Sequence, residues 1–277
     1  MHHRAKKSLG QHFLKSKKAL SDMIAGGNVT SKDTVLEIGP GKGALTKELL
    51  AHAGKVIAIE KDKSLIPVLE ETFATEIRNK KLVLIEGDIM EDNIELPHDY
   101  KVIANIPYYI TGALFQMFLE REAQPSAIVF LVQKEVAERI VGRHPTSSRR
   151  LRGAQESILS LSVKAYGEPK YVSKVPKHYF SPEPKVDSAI IAITNISKQK
   201  FETAHITEKA FFNVVKTGFA HKRKVLIQNL TELGITKEII QKAFENLSLS
   251  LKIRAENVEL PLWIALTQAL APHIHTK

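Results

Sequence analysis

The chain has 277 residues, enough for one large domain with a real core and a smaller one beside it. Its apolar fraction of 43% and charged fraction of 25% are those of a globular protein. No apolar run approaches the ~18 residues of a membrane span, and the lack of cysteine excludes disulfides and thiolate metal sites. A formal charge of +10 points to a polyanionic partner such as nucleic acid, although excess charge also keeps proteins in solution.

The first 21 residues carry Arg4, Lys6, Lys7, Lys15, Lys17 and Lys18 with no acid, and no signal-peptide core follows them. Residues 1–7 read as a basic arm. Ser16 is placed to cap a helix running to Ala25, closed by Gly26-Gly27. Thr34 to Ile38 reads as a strand, followed by Gly39-Pro40-Gly41-Lys42-Gly43 and a helix from Ala44 to Ala53. Strand, glycine turn and helix together let a backbone approach a ligand closely, because a Cβ would stand in the way. The turn lacks the Lys-Ser/Thr of a P-loop.

The next strand, Lys55 to Ile59, ends at Glu60, where a carboxylate can accept two hydrogen bonds from a ribose diol or simply face solvent. A helix is expected over 62–77, then a strand at Leu82 to Ile85 leading to Gly87-Asp88. Val102-Ile103-Ala104 is a buried strand running into Asn105-Ile106-Pro107-Tyr108, with a helix at 112–121 behind it. That tetrapeptide forms a turn on local grounds, or a site for a planar amine. Three successive strand ends thus place Glu60, Asp88 and Asn105 on one edge of a doubly wound parallel sheet.

Ile128 to Val132 is a fifth strand and Lys134 to Val141 a helix. The basic loop after it, with Arg149, Arg150 and Arg152, either touches phosphates or is a solvated loop. A helix at 155–165 and a strand at 171–175 follow. Pro182 and Pro184 stiffen the chain and are expected to present Phe180 at a loop tip. The run from Val186 to Ile193 closes the sheet. From about residue 198 the pattern is wholly helical (207–218, 222–232, 236–246, 257–270), and Lys222-Arg223-Lys224 forms a second basic cluster. The domain boundary is therefore placed between 1–197 and 198–277. The histidines lack zinc-ligand spacing, so no metal is expected.

Several stretches together resemble the KsgA-type small-subunit ribosomal RNA adenine dimethyltransferases. They are Gly10 to Leu14, Leu36 to Thr46, Gly87-Asp88, Asn105 to Tyr108, Leu131 to Val136, Phe180 to Ala189, Phe219 to Leu226 and Arg254-Ala255-Glu256. They fall in the family's order over nearly the whole chain. One departure is the stretch Ser147 to Glu156, with three arginines, and Ser157 where a glycine is expected.

The resemblance implies an α/β fold: a Rossmann-like class I methyltransferase sheet with a small all-helical C-terminal domain. The methyl donor would be S-adenosylmethionine (SAM). The substrate would be two adjacent adenosines in a loop near the 3′ end of 16S rRNA, in small ribosomal subunit biogenesis. Carried over by position, His12, Leu14, Gly39, Gly41, Glu60, Asp88, Ile89 and Asn105 would line the donor site. Asn105 and the Ile106 carbonyl would hold the target amine, with Pro107 stiffening the turn, and Tyr108 and Phe180 would flank the base. Arg149, Arg150, Arg152, Lys222, Arg223 and Lys224 would contact RNA. A cytoplasmic monomer without membrane attachment is expected. The alternatives are a large-subunit rRNA adenine methyltransferase of the resistance type and a non-catalytic RNA-binding assembly factor.

Overall fold

The computed structural model describes residues 6, 9–91, 94–142 and 155–274. In chain order, the first elements are β1 (Phe13–Leu14), α1 (Lys17–Gly26), β2 (Thr34–Ile38), α2 (Ala44–His52) and β3 (Lys55–Glu60). Next come α3 (Ile66–Thr72), α4 (Ala74–Arg78), β4 (Leu82–Glu86), β5 (Lys101–Asn105), α5 (Thr111–Glu120), β6 (Ala127–Gln133) and α6 (Lys134–Val141). They are followed by α7 (Ile158–Tyr166), β7 (Glu168–Val175), β8 (Phe180–Ser181) and β9 (Ser188–Thr194). The rest is helical: α8 (Gln199–Thr203), α9 (Glu208–Gly218), α10 (Leu226–Leu230), α11 (Lys237–Asn246) and α12 (Leu260–Leu270).

The main sheet has the order β4-β3-β2-β5-β6-β9-β7. Its first five strands are parallel, and β9 and β7 are antiparallel additions. The central parallel strands are mostly apolar because both faces are covered, as the full burial of Val35, Val56, Ile103 and Val129 shows. The chain reverses its progress across the sheet between β2 and β5, the point in such folds where ligands sit.

The order corrects the expectation that the last strand closes the sheet. β9 is buried from Ser188 to Ile193 and so needs a neighbour on each side; β7, with exposed residues and Pro169, lies at the edge. The single helix expected over 62–77 is also two. Ser64 donates from both its backbone N–H and its hydroxyl to the Asp62 carboxylate, holding 62–65 in a turn, and the helix begins only at Ile66 with Pro67 in its first turn. Phe73 then breaks it before α4.

Two compact units result: the described residues up to Glu138 with Glu168–Ile196, and residues 155–167 grouped with the helices from Ser197 onward. The chain thus passes between the units three times, after Glu138, Gly167 and Ile196, where the sequence suggested one boundary after residue 197. The reason lies in α7, whose Tyr166 packs on Phe201 and Phe212 and donates its hydroxyl hydrogen to Glu208. Ser157, in the place of the expected glycine, caps α7: its side chain accepts from Ser160 N–H and its N–H donates to the Ser160 hydroxyl. Within the helical unit Trp263 is fully buried and stacks on Phe219.

Candidate active site

The glycine turn after β2 is held by two backbone bonds, Gly39 N–H to Ile59 O (2.8 Å) and Gly43 N–H to Pro40 O (2.9 Å). Gly39 has φ +65°, and a Cβ there would meet no protein atom within 4 Å, so the backbone opens onto free space. Gly41 (φ +60°) is covered instead: a Cβ would come within 3.0 Å of the Phe13 ring, which carries Lys42 Nζ 5.0 Å from its centroid.

Glu60 ends β3 with both carboxylate oxygens engaged by backbone. Oε2 accepts from Gly41 N–H (2.9 Å) and Oε1 from Asp62 N–H (2.8 Å). Burial raises its pKa, the two N–H groups act against that rise, and the neighbouring Asp62 charge adds to it. Asp62 is clamped from the N-terminal segment by Lys6 Nζ (2.6 Å) and Gln11 Nε2 (2.9 Å). Burial alone would raise its pKa, but Lys6, Ser64 and Gln11 outweigh it and hold the carboxyl well below the usual range.

Asp88, two residues beyond β4, accepts from Lys61 Nζ and, on the other oxygen, from Met90 N–H (3.0 Å). Its burial works against ionisation, yet the Lys61 ammonium and the Met90 N–H bring the pKa down. An ionised carboxylate keeps further lone pairs, so both acids retain acceptor capacity.

Asn105 is fixed by the N-terminal segment. Its Nδ2 donates to the His12 carbonyl at 3.0 Å, and since a carbonyl can only accept, the amide's orientation is settled and Oδ1 remains the acceptor. His12 is itself held by Nδ1 against the Pro182 carbonyl (2.8 Å), and its ring lies 6.3 Å from Tyr108 at an interplanar angle of 22°. Tyr109, the next residue, is 68% exposed.

Phe180 departs from its expected place. It is only 4% exposed and lies in β8, opposite Leu14 of β1, because the chain pairs 13–14 with 180–181 instead of projecting a loop. The prolines therefore do not display it at a tip; the strand pair buries most of the side chain, which still lines the cavity.

A cavity of about 430 Å³ opens at the carboxyl ends of β2–β5. His12, Leu14, Gly39, Gly41, Glu60, Asp88, Ile89, Asn105, Ile106, Pro107, Tyr108 and Phe180 all line it. Glu37 lines it as well, a residue for which the sequence offered a signal: a lone acid inside an apolar strand just before the glycine turn. It is 1% exposed, with the Thr46 hydroxyl and N–H beside its carboxyl. Burial pushes the Glu37 carboxyl up to about 8; the Thr46 groups act against the rise and the Glu60 charge adds to it.

Residues 2–271 match the family described as ribosomal RNA adenine dimethylase. The chain belongs to that family. Among curated relatives of this dimethylase, Ribosomal RNA small subunit methyltransferase A of Dehalococcoides mccartyi is 40% identical over 94% of this chain and 86% of its own length. The protein of the same name from Fusobacterium nucleatum is 35% identical over 96% and 97%. Among solved structures, a dimethyladenosine transferase from Plasmodium falciparum superposes with a TM-score of 0.77 at 26% identity, covering 94% of this chain and 98% of that one. The 23S rRNA methyltransferase ErmE gives 0.74 at 22% identity over 94% and 99%, a likeness of fold alone.

Elsewhere in the dimethylase, Lys222, Arg223 and Lys224 are exposed in the turn before α10. Arg149, Arg150 and Arg152 lie outside the described residues. Among the described residues no helix is long and apolar enough to cross a membrane.

Proposed function

We propose that this dimethylase transfers methyl groups from S-adenosylmethionine to N6 of two adjacent adenosines near the 3′ end of 16S rRNA, in small-subunit biogenesis. The observation that carries this reading is the Asn105 amide, turned by the His12 carbonyl so that Oδ1 is an acceptor at the cavity wall. An exocyclic adenine amine has two N–H groups to donate and a lone pair delocalised into the ring. Oδ1 of Asn105 and the Ile106 carbonyl accept those N–H groups and let the nitrogen pyramidalise.

The residues present fit the donor. Gly39 has open space where a Cβ would be, Glu60 offers acceptors to a ribose diol, and Asp88 offers them to an adenine amine. His12, Leu14, Gly41 and Ile89 complete the walls on that side. Bound there, S-adenosylmethionine supplies an electrophilic methyl group. The chain's own part is to orient and to exclude water, and positioning of this kind lowers barriers by up to roughly 7–11 kcal/mol. No strong base is required, because the amine becomes acidic only after it has gained the methyl. Tyr108 stacks on one face of the base and Phe180 on the other; such stacking contributes about 1–3 kcal/mol per base.

Arg149, Arg150, Arg152, Lys222, Arg223 and Lys224 neutralise phosphates of the RNA, and the enzyme works as a cytoplasmic monomer. The large-subunit alternative rests on no observation beyond a shared fold. Unmodified small subunits incubated with labelled donor test the reading. Label should map to two adjacent adenosines near the 3′ end of the RNA; label elsewhere, or in 23S rRNA instead, would refute it.

A further inference from the structure

The hydroxyl of Tyr108 lies 2.6 Å from that of Ser188. Ser188 opens β9, with Gln133 of β6 opposite it on one side and Val175 of β7 on the other. It is completely buried at the start of a strand whose next five residues are apolar, a costly place for a hydroxyl without a partner. Three strands fix its position. Tyr108 by contrast begins a single turn, Tyr108–Ile110, closed by the bond from Ile110 N–H to Pro107 O (3.2 Å). Its ring faces His12 at 6.3 Å, and the Ser188 hydroxyl ties the far end of the ring to the sheet.

Phe180 reaches the same cavity from the connection that ends at Ser188. The bond therefore registers two separate chain segments, 105–108 and 180–188, that face one cavity. We propose that Ser188 is a positioning residue, which sets the plane of the Tyr108 ring, and with it the slot for the target base, through the hydroxyl–hydroxyl bond. This rests on the reading of Tyr108 as a wall of the base site.

The test is a double-mutant cycle on methyl transfer to small subunits, with donor affinity measured by calorimetry on each variant. Ser188→Ala and Tyr108→Phe should each lower kcat about tenfold, the effect of one buried neutral hydrogen bond. The double variant should lose about the same tenfold, because both changes remove one bond. Donor affinity should stay at the parental value, and Tyr108→Ala should fall further. Parental kcat in Ser188→Ala and Tyr108→Phe, or losses that multiply in the double variant, would overturn the inference while an impaired Tyr108→Ala kept the base-site reading. Parental kcat in Tyr108→Ala would remove both. Should Ser188→Ala not fold, Tyr108→Phe decides alone: a tenfold loss supports the tie and a parental rate refutes it.

Discussion

The two sides of the cavity are built by different means. On the side of Gly39, Glu60 and Asp88, the groups sit at the ends of consecutive parallel strands, and backbone N–H groups hold Glu60 through both its oxygens. On the side of Asn105, Tyr108 and Phe180, three distant segments meet, and side chains do much of the holding: Asn105 to His12, Tyr108 to Ser188, and β1 against β8. The first side is a rigid cradle that suits a ligand common to many chemistries. The second is an assembly whose geometry depends on a few bonds, each removable by one substitution, and it is where specificity resides in this account.

That contrast is sharpest at Asn105. Asn105→Ala should lower methyl transfer by about a hundredfold or more, the scale seen when one preorganised hydrogen-bonding group is deleted. Donor affinity should remain largely intact. Rapid-quench transfer assays beside calorimetry will show it, and a variant with parental rates would end the proposed role of the amide.

Glu60→Ala should do the reverse. Losing a charged acceptor costs on the order of 1.5–3 kcal/mol, which weakens the donor dissociation constant about 10- to 100-fold. RNA affinity should change far less. Calorimetry with the donor checks this, and an unchanged constant would take Glu60 out of the site.

Glu37 bears on stability instead of on catalysis. Its carboxyl is raised from 4.5 to about 8 in the folded state, so between those values the native protein holds a proton that the unfolded chain has released. Stability from this group is therefore present at low pH and declines as pH rises from about 4.5 to about 8, by at most ~1.4 kcal/mol per pH unit. Glu37→Gln should flatten that decline and melt higher than the parent at pH 8. Melting curves across the range test it; two parallel profiles would show that Glu37 does not titrate there.

The smallest effect belongs to the basic cluster outside the cavity. Removing the charge of Lys222, Arg223 or Lys224 should flatten the log–log salt dependence of RNA affinity by roughly 0.7–0.9 for each phosphate left without its cation. Filter binding over a salt series reads that slope, and charge-removed variants with the parental slope would make the cluster a solvated face.

The same contrast explains what could be read in advance. Glu60, Asp88 and Asn105 were legible because each follows an apolar run of strand length, a purely local pattern. The placement of Phe180 was not, since β8 is two residues long and its partner, β1, lies at the far end of the sheet-bearing unit in sequence. Nor could the sequence reveal that Gln11 and the His12 carbonyl hold Asp62 and Asn105, contacts that span 51 and 93 residues. The helix expected over 62–77 failed on an Asp62–Ser64 turn whose side-chain bonds override helical propensity.

Counting the methyl groups on the product tests the central claim most directly. After one transfer the amine keeps a single N–H, enough for Asn105 or the Ile106 carbonyl, and rotation about its exocyclic bond can bring the lone pair back toward the donor. Mass spectrometry of nucleosides from small-subunit RNA after exhaustive reaction should therefore find N6,N6-dimethyladenosine as the end product at both positions. A reaction that stops at N6-methyladenosine, or that places its methyl groups on other atoms, would contradict the account.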